Sequence, residues 1–343
     1  MITFYPGPSK IYPQVAGFAA EACQSGIVSM NHRSPEFMAI TEGAIRALKA
    51  KLNVPETYHV ALVSSATECW EIVAQSLTKQ SSLHPYSGAF GKKWMEYAHK
   101  LKPMHRPDEA DVLCIVQNET SNGTQVRMPA LAEFRHTFPD ALIAVDAVSS
   151  MAGIVLEWSL ADVWFASVQK CFGLPAGLAV LIYSPRALRR AEEIGENDHY
   201  NSLLFLHENF EKFQTPYTPN GLGIYLLKAI LEQVPPIDVI DAVTKQRAES
   251  WYTFFEQELA DSPFRLLISD AAQRSDTVIA VEGSEADISA VKKLAKQAGL
   301  LLGNGYGDWK NTTFRIANFP AISDEEINEL KRFLRVWPTL QLW

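Results

Sequence analysis

A mainly parallel α/β sheet with helices on both faces, followed by a smaller α+β unit, is the fold this sequence predicts. Three observations lead there. Residues 141–145, 163–167 and 178–183 are short apolar runs, each the length of a buried strand. Strand-like and amphipathic helical segments alternate regularly from residue 59 to 183, the succession expected of strand–crossover–strand units. Pro235-Pro236 then breaks a buried helix, and a long helix over 238–259 leads into a second strand and helix series. The expected division is a large unit over 14–236 and a small C-terminal unit over 237–343, which also takes the N-terminal arm 1–13.

The elements follow in order. The arm is extended and rich in proline (Pro6, Pro8, Pro13), and a helix follows over about 14–25. His32 and Arg33 stand just ahead of a helix over 35–52, where two cations make either an anion site or a solvated loop. A strand at 59–63 runs into Ser64-Ser-Ala-Thr67, which opens a helix over 68–77. Small residues there, Ala66 and Thr67 among them, leave backbone N–H groups free to cradle a phosphate; capping explains Ser65 and Thr67 equally well. Phe90 lies beside glycine ahead of a helix over 92–102, placed either to stack on a ring or to fill core. The strand 111–116 ends in the polar turn Gln117-Asn-Glu-Thr120-Ser-Asn-Gly123. A helix over 128–138 returns the chain to the strand before Asp146.

A charged helix (185–194), a loop (195–202), the segment Phe213-Gln-Thr-Pro-Tyr-Thr218 and a buried helix (222–233) complete the large unit. In the small unit, strands are expected at 264–269, 277–281 and 313–316, with helices over 285–298 and 324–336. Ser323-x-x-Glu326 has capping-box spacing and marks the last helix only. Arg315, in the strand 313–316, is either an edge residue in a salt bridge or a bidentate grip for a carboxylate, a geometry lysine cannot match.

Two ionisable groups carry the chemistry. Asp146 follows the first of the three apolar runs and Lys170 the second, at the carboxyl edge where ligands gather on an open α/β sheet. An acid and an amine facing one crevice are what pyridoxal phosphate requires: a lysine for the Schiff base and an acid against the pyridine nitrogen. A surface lysine and a helix-capping aspartate would look the same by residue type alone.

The spacing of Val145-Asp-Ala-Val-Ser-Ser150, Ser167-Val-Gln-Lys170 and Gly173-Leu-Pro-Ala-Gly-Leu178 resembles the core of the class V aminotransferases, within the fold type I pyridoxal-phosphate enzymes. That resemblance implies a Schiff base on Lys170, an acid at Asp146, and Gln169 beside them in the cofactor site. It also implies a phosphate turn at Ala66 and Thr67, Phe90 on the cofactor ring and the Thr120 hydroxyl near its phenolic oxygen. Thr215 and Thr218 would reach the phosphate of the neighbouring subunit, so a homodimer with shared sites is expected, and Arg315 would hold the substrate carboxylate. His32 and Arg33 resemble the phosphate-binding pair of the phosphoserine aminotransferase branch. Gly307-Asp-Trp-Lys310 is more like the alanine–glyoxylate and serine–glyoxylate branch. The partners are then amino acids and 2-oxo acids.

Composition narrows the alternatives. A chain of 343 residues with 47% hydrophobic content can bury a sizeable core. Its net charge of −8, without a cluster of Lys and Arg, argues against nucleic acid. Four scattered cysteines lack metal-ligand spacing, so no metal is expected, and all precede residue 172, which argues against a desulfurase needing a late nucleophilic cysteine. No apolar run reaches membrane-spanning length and the N-terminus carries no leader pattern, so a soluble cytoplasmic protein is expected.

Overall fold

The computed structural model describes residues 1–103 and 110–340. Two mixed sheets organise them. The larger has the order His59–Val63, Ala179–Tyr183, Val163–Ser167, Leu142–Asp146, Ala110–Val116, Ser81–Leu83. Its last four strands run parallel, while Ala179–Tyr183 is antiparallel to both of its neighbours. Leu142–Asp146, Val163–Ser167 and Ala179–Tyr183 are buried at every position, as strands covered on both faces must be. Helices supply that cover, including Pro35–Leu52, which packs against Gly221–Gln233.

The expected fold class holds in both its parts. The second sheet has the order Ile2–Phe4, Leu300–Asn304, Thr313–Ala317, Val278–Glu282, Arg265–Leu266. Two of these strands, Ile2–Phe4 and Leu300–Asn304, differ from the sequence expectation: they pair in parallel, Ile2 opposite Leu300. The strand expected over 264–269 shortens to Arg265–Leu266. The helix expected over 68–77 is α-helical over Ala66–Ile72 and π-helical over Val73–Leu77. The described residues also include a helix at Leu203–Phe210 and an edge strand at Ser81–Leu83, neither of which the sequence pattern announced.

A buried polar seam joins the sheets. Ser275 Oγ donates to Asn118 Oδ1 (2.6 Å), Thr277 Oγ1 to the Ser149 carbonyl (2.6 Å), and Gln125 Nε2 to Asp276 Oδ2 (3.0 Å). Asp276 also receives Arg127 Nη1 at 2.5 Å. These buried side chains partner one another across the seam, which favours one relative placement of the sheets.

Candidate active site

Asp146 closes the strand Leu142–Asp146, and its Oδ1 accepts the Val148 N–H two residues on (3.0 Å), which turns the chain off the sheet. Its Oδ2 accepts the Trp70 indole N–H at 3.2 Å. The side chain is almost fully enclosed, and burial pushes the carboxyl up to about 6; the Val148 N–H, the Lys170 ammonium and the Trp70 N–H each pull it back toward the anion.

Lys170 sits three residues past the end of the neighbouring strand, Val163–Ser167. The turn that carries it closes when the Gly173 N–H donates to the Lys170 carbonyl (2.9 Å). Gly173 is required here: its φ of +62° is left-handed, and a Cβ would lie 2.6 Å from the Tyr12 ring. Lys170 is 7% exposed, and burial pulls its amine down to about 8; Asp146 opposes that shift and Arg315 adds to it. Nζ donates to Thr120 Oγ1 at 2.8 Å and lies 5.4 Å above the centroid of the Phe90 ring. Thr120 Oγ1 in turn donates to Ser149 Oγ (2.9 Å), which donates to the Asn118 carbonyl (2.9 Å).

Arg315 belongs to the fully buried strand Thr313–Ala317 of the second sheet. It reaches across the seam: Nη1 donates to the Thr120 carbonyl and Nε to the Asn304 carbonyl, both at 2.6 Å. Its guanidinium is thus clamped by backbone, close enough to Lys170 to depress the amine, and lies 5.8 Å from the Tyr306 ring centroid.

These groups line one cavity of about 280 Å³. Of the residues expected at a cofactor or substrate site, Ala66, Thr67, Phe90, Thr120, Asp146, Gln169, Lys170 and Arg315 all lie on its wall. His32, Arg33, Thr215 and Thr218 do not. Arg33 is exposed and its Nε donates to His32 Nε2 (3.4 Å), while buried Thr215 turns its hydroxyl to the Tyr217 carbonyl (2.5 Å).

The wall also holds groups that residue patterns did not single out: Trp70, Lys93, Tyr306 and the stretch Tyr5–Pro8. Trp70 stands four residues after Ala66, on the same helical face, a spacing that could have flagged it. Tyr306 stacks on Phe90 (4.9 Å, 19°) from the far side of the seam, a contact with no local signal. At Gly7, a Cβ would lie 3.0 Å from Lys170 Cε, so the arm passes close over the lysine stem and a side chain there would press on it.

The donor set fits pyridoxal phosphate. A buried amine that is partly free base near neutral pH suits the cofactor aldehyde, and a buried carboxylate held by two N–H groups suits a pyridine nitrogen.

Comparison with known proteins agrees. The family model described as aminotransferase class-V matches residues 95–307. A phosphoserine aminotransferase of Rhodococcus opacus is 27% identical over 360 aligned positions, covering 98% of this chain and 94% of that protein. The solved structure of a phosphoserine aminotransferase from Cytophaga hutchinsonii superposes with a TM-score of 0.91 at 33% identity, covering 97% of this chain and 98% of that one. An alanine–glyoxylate aminotransferase from Nostoc shares the fold at 18% identity, with a TM-score of 0.81 over 98% of this chain and 94% of that one. With that match across the site just described, the chain belongs to the class V aminotransferases and is a pyridoxal-phosphate-dependent transaminase.

Proposed function

We propose that the protein is a phosphoserine aminotransferase, exchanging the amino group of phosphoserine with 2-oxoglutarate in serine biosynthesis. The observation that carries this reading is the full-length likeness to proteins of that name. The charge of the cavity agrees, because Arg315 and Lys93 both stand on its wall and the substrate has two anionic ends.

The roles divide by chemistry. Bound pyridoxal phosphate supplies the electron sink that makes the substrate Cα–H acidic. Lys170 would anchor it and would take and return that proton at Nζ, and the burial that lowers its amine to about 8 favours the free base those duties need. Asp146, with its carboxylate fixed by Trp70, would hold the cofactor's pyridine nitrogen in its protonated form. Thr120 orients the lysine, Phe90 and Gln169 would hold the cofactor ring, and the helix start at Ala66 and Thr67 would hold its phosphate. Arg315, already aligned by two carbonyls, grips the substrate carboxylate.

The same reading makes the enzyme a homodimer. Thr215 and Thr218 lie off the wall of their own cavity, as residues serving the neighbouring subunit's phosphate site would, and His32 and Arg33 lie off it as well. The separate sheets support keeping 14–236 and 237–343, with the arm 1–13, as the two domains. The four cysteines are free and three are buried, which suits the reducing cytoplasm.

The test is a titration of the yellow, cofactor-loaded protein with phosphoserine and, separately, with alanine and serine. Phosphoserine should bleach the band at the lowest concentration. If alanine or serine does so instead, the phosphate assignment falls and the glyoxylate-type reading, favoured by Gly307-Asp-Trp-Lys310, takes its place.

A further inference from the structure

A second constellation of chemistry-bearing side chains lies at the other end of the large sheet. His59 opens the strand His59–Val63 and pairs in register with Tyr183, which itself pairs with Val163. Val163 begins the strand whose far end leads to Lys170, so four residues, about 13 Å of strand, separate the two levels. Against His59 packs the helix Leu203–Phe210, with His207 on it and Glu211 just past its end. His207 and Glu211 are four apart and share a face.

Three ligand atoms, one from each of His59, His207 and Glu211, lie within 4.8 Å of one another. His59 Nδ1 is 3.9 Å from Glu211 Oε1, and the two imidazoles meet edge to face at 4.7 Å. Ligands of a tetrahedral ion with bonds near 2.0–2.1 Å stand about 3.4 Å apart. The exposed Glu211 side chain is free to close that gap.

A tyrosine backs one of the imidazoles. Tyr183 OH lies 3.0 Å from His207 Nδ1. An imidazole that gives its Nδ1–H to an oxygen presents Nε2 as a lone pair, the arrangement found behind metal-bound histidines. A cavity of about 250 Å³ opens beside the group, so solvent reaches a fourth position. The nearby cation, Lys49, is engaged by Glu56, through the backbone carbonyl at 2.9 Å and the carboxylate at 3.6 Å.

We infer that His59, His207 and Glu211 form a binding site for a divalent transition ion of the Zn²⁺ class, remote from the cofactor. Two imidazoles and a carboxylate are a borderline ligand set that suits Zn²⁺ better than Mg²⁺ or Ca²⁺. The ion ties the helix Leu203–Phe210 to the sheet edge. The chain then turns at Phe213, with a φ of 54°, into the segment carrying Thr215 and Thr218, so chelation steadies the base of that segment. Nothing in the transamination chemistry calls on these three residues.

The experiment uses the full, pyridoxal-phosphate-loaded protein, with Zn²⁺ titrated against a chromogenic chelator and Co²⁺ as a visible probe of coordination. Cys23→Ser serves as a control, because Cys23 is the exposed thiol. One equivalent of Zn²⁺ should bind to the wild type and to Cys23→Ser alike, raising Tm, and Co²⁺ should show four- or five-coordinate bands. Glu211→Gln, a change at an exposed carboxylate, should weaken binding at least roughly tenfold without lowering the metal-free Tm, and His59→Gln should do the same to affinity. Absence of saturable binding overturns the inference. So does binding that survives both ligand substitutions, or that disappears with Cys23.

Discussion

At the scale of single residues, the site depends on keeping two opposite charges in a space that disfavours both. Burial drives Lys170 down and Asp146 up, and their mutual attraction offsets only part of each shift. The cofactor-free protein should therefore form its yellow band with pyridoxal phosphate at a rate that climbs roughly tenfold per pH unit and levels off near 8. Stopped-flow traces still climbing beyond pH 10 would mark an ordinary lysine. Trp70→Phe removes an N–H that favours ionised Asp146, so the Asp146 pKa should rise and the acid limb of kcat/KM move to higher pH by about one to two units. An unmoved limb would leave Trp70 as packing alone. Asp146 and Lys170 were legible in the sequence through the motifs around them, at 145–150, 167–170 and 173–178, because an acid and an amine at strand ends look by residue type alone like a helix cap and a surface lysine. Trp70 and Ser149 were not, because each acts through another side chain that only folding brings near.

At the scale of elements, the helix Ala89–Leu101 shows how a local start is set by a distant charge. Gly88 precedes it without a side-chain cap, and the buried Glu119 Oε2 accepts from the Phe90 and Gly91 N–H groups instead (3.1 and 3.0 Å). The other oxygen, Oε1, accepts from Ser121 N (3.0 Å) and Oγ (2.6 Å). A Cβ at Gly88 would overlap Glu119 Cγ and lie 2.6 Å from Ser121 Oγ. Gly88→Ala should thus cost about 1–3 kcal/mol in denaturant melts, as buried groups lose partners, and should weaken cofactor binding through Phe90. A melt and a cofactor affinity like the wild type's would refute this. The helix Pro35–Leu52 was legible in its approximate span, and the structure adds the reason for its start: Ser34 caps it and Pro35 occupies its first position. The strands Ile2–Phe4 and Leu300–Asn304 were not, since each is short and its meaning lies in the other. Nor was the antiparallel direction of Ala179–Tyr183 readable from a run of apolar residues.

At the scale of the whole molecule, the arm is a part that touches both sheets and the cavity between them. Ile2–Phe4 extends the second sheet, Tyr5–Pro8 cover the cavity, and the Ser9 and Tyr12 N–H groups donate to the Gln169 and Gly173 carbonyls of the first sheet's turn (both 2.9 Å). Removing residues 1–9 should leave a folded protein with intact far-ultraviolet dichroism but lower kcat/KM by roughly 10² or more, because Lys170 and Arg315 lose a shared reference. Retention of wild-type kcat/KM would show that the polar seam aligns the sheets unaided. The pairing of Ile2 with Leu300 also bears on how the protein comes into being. At about 5–20 residues per second, a ribosome needs roughly 15–60 s between making the first strand and making its neighbour. During that interval the arm has no edge to join. The crevice thus stays open on the nascent chain, and catalytic competence waits until Leu300–Asn304 has been made.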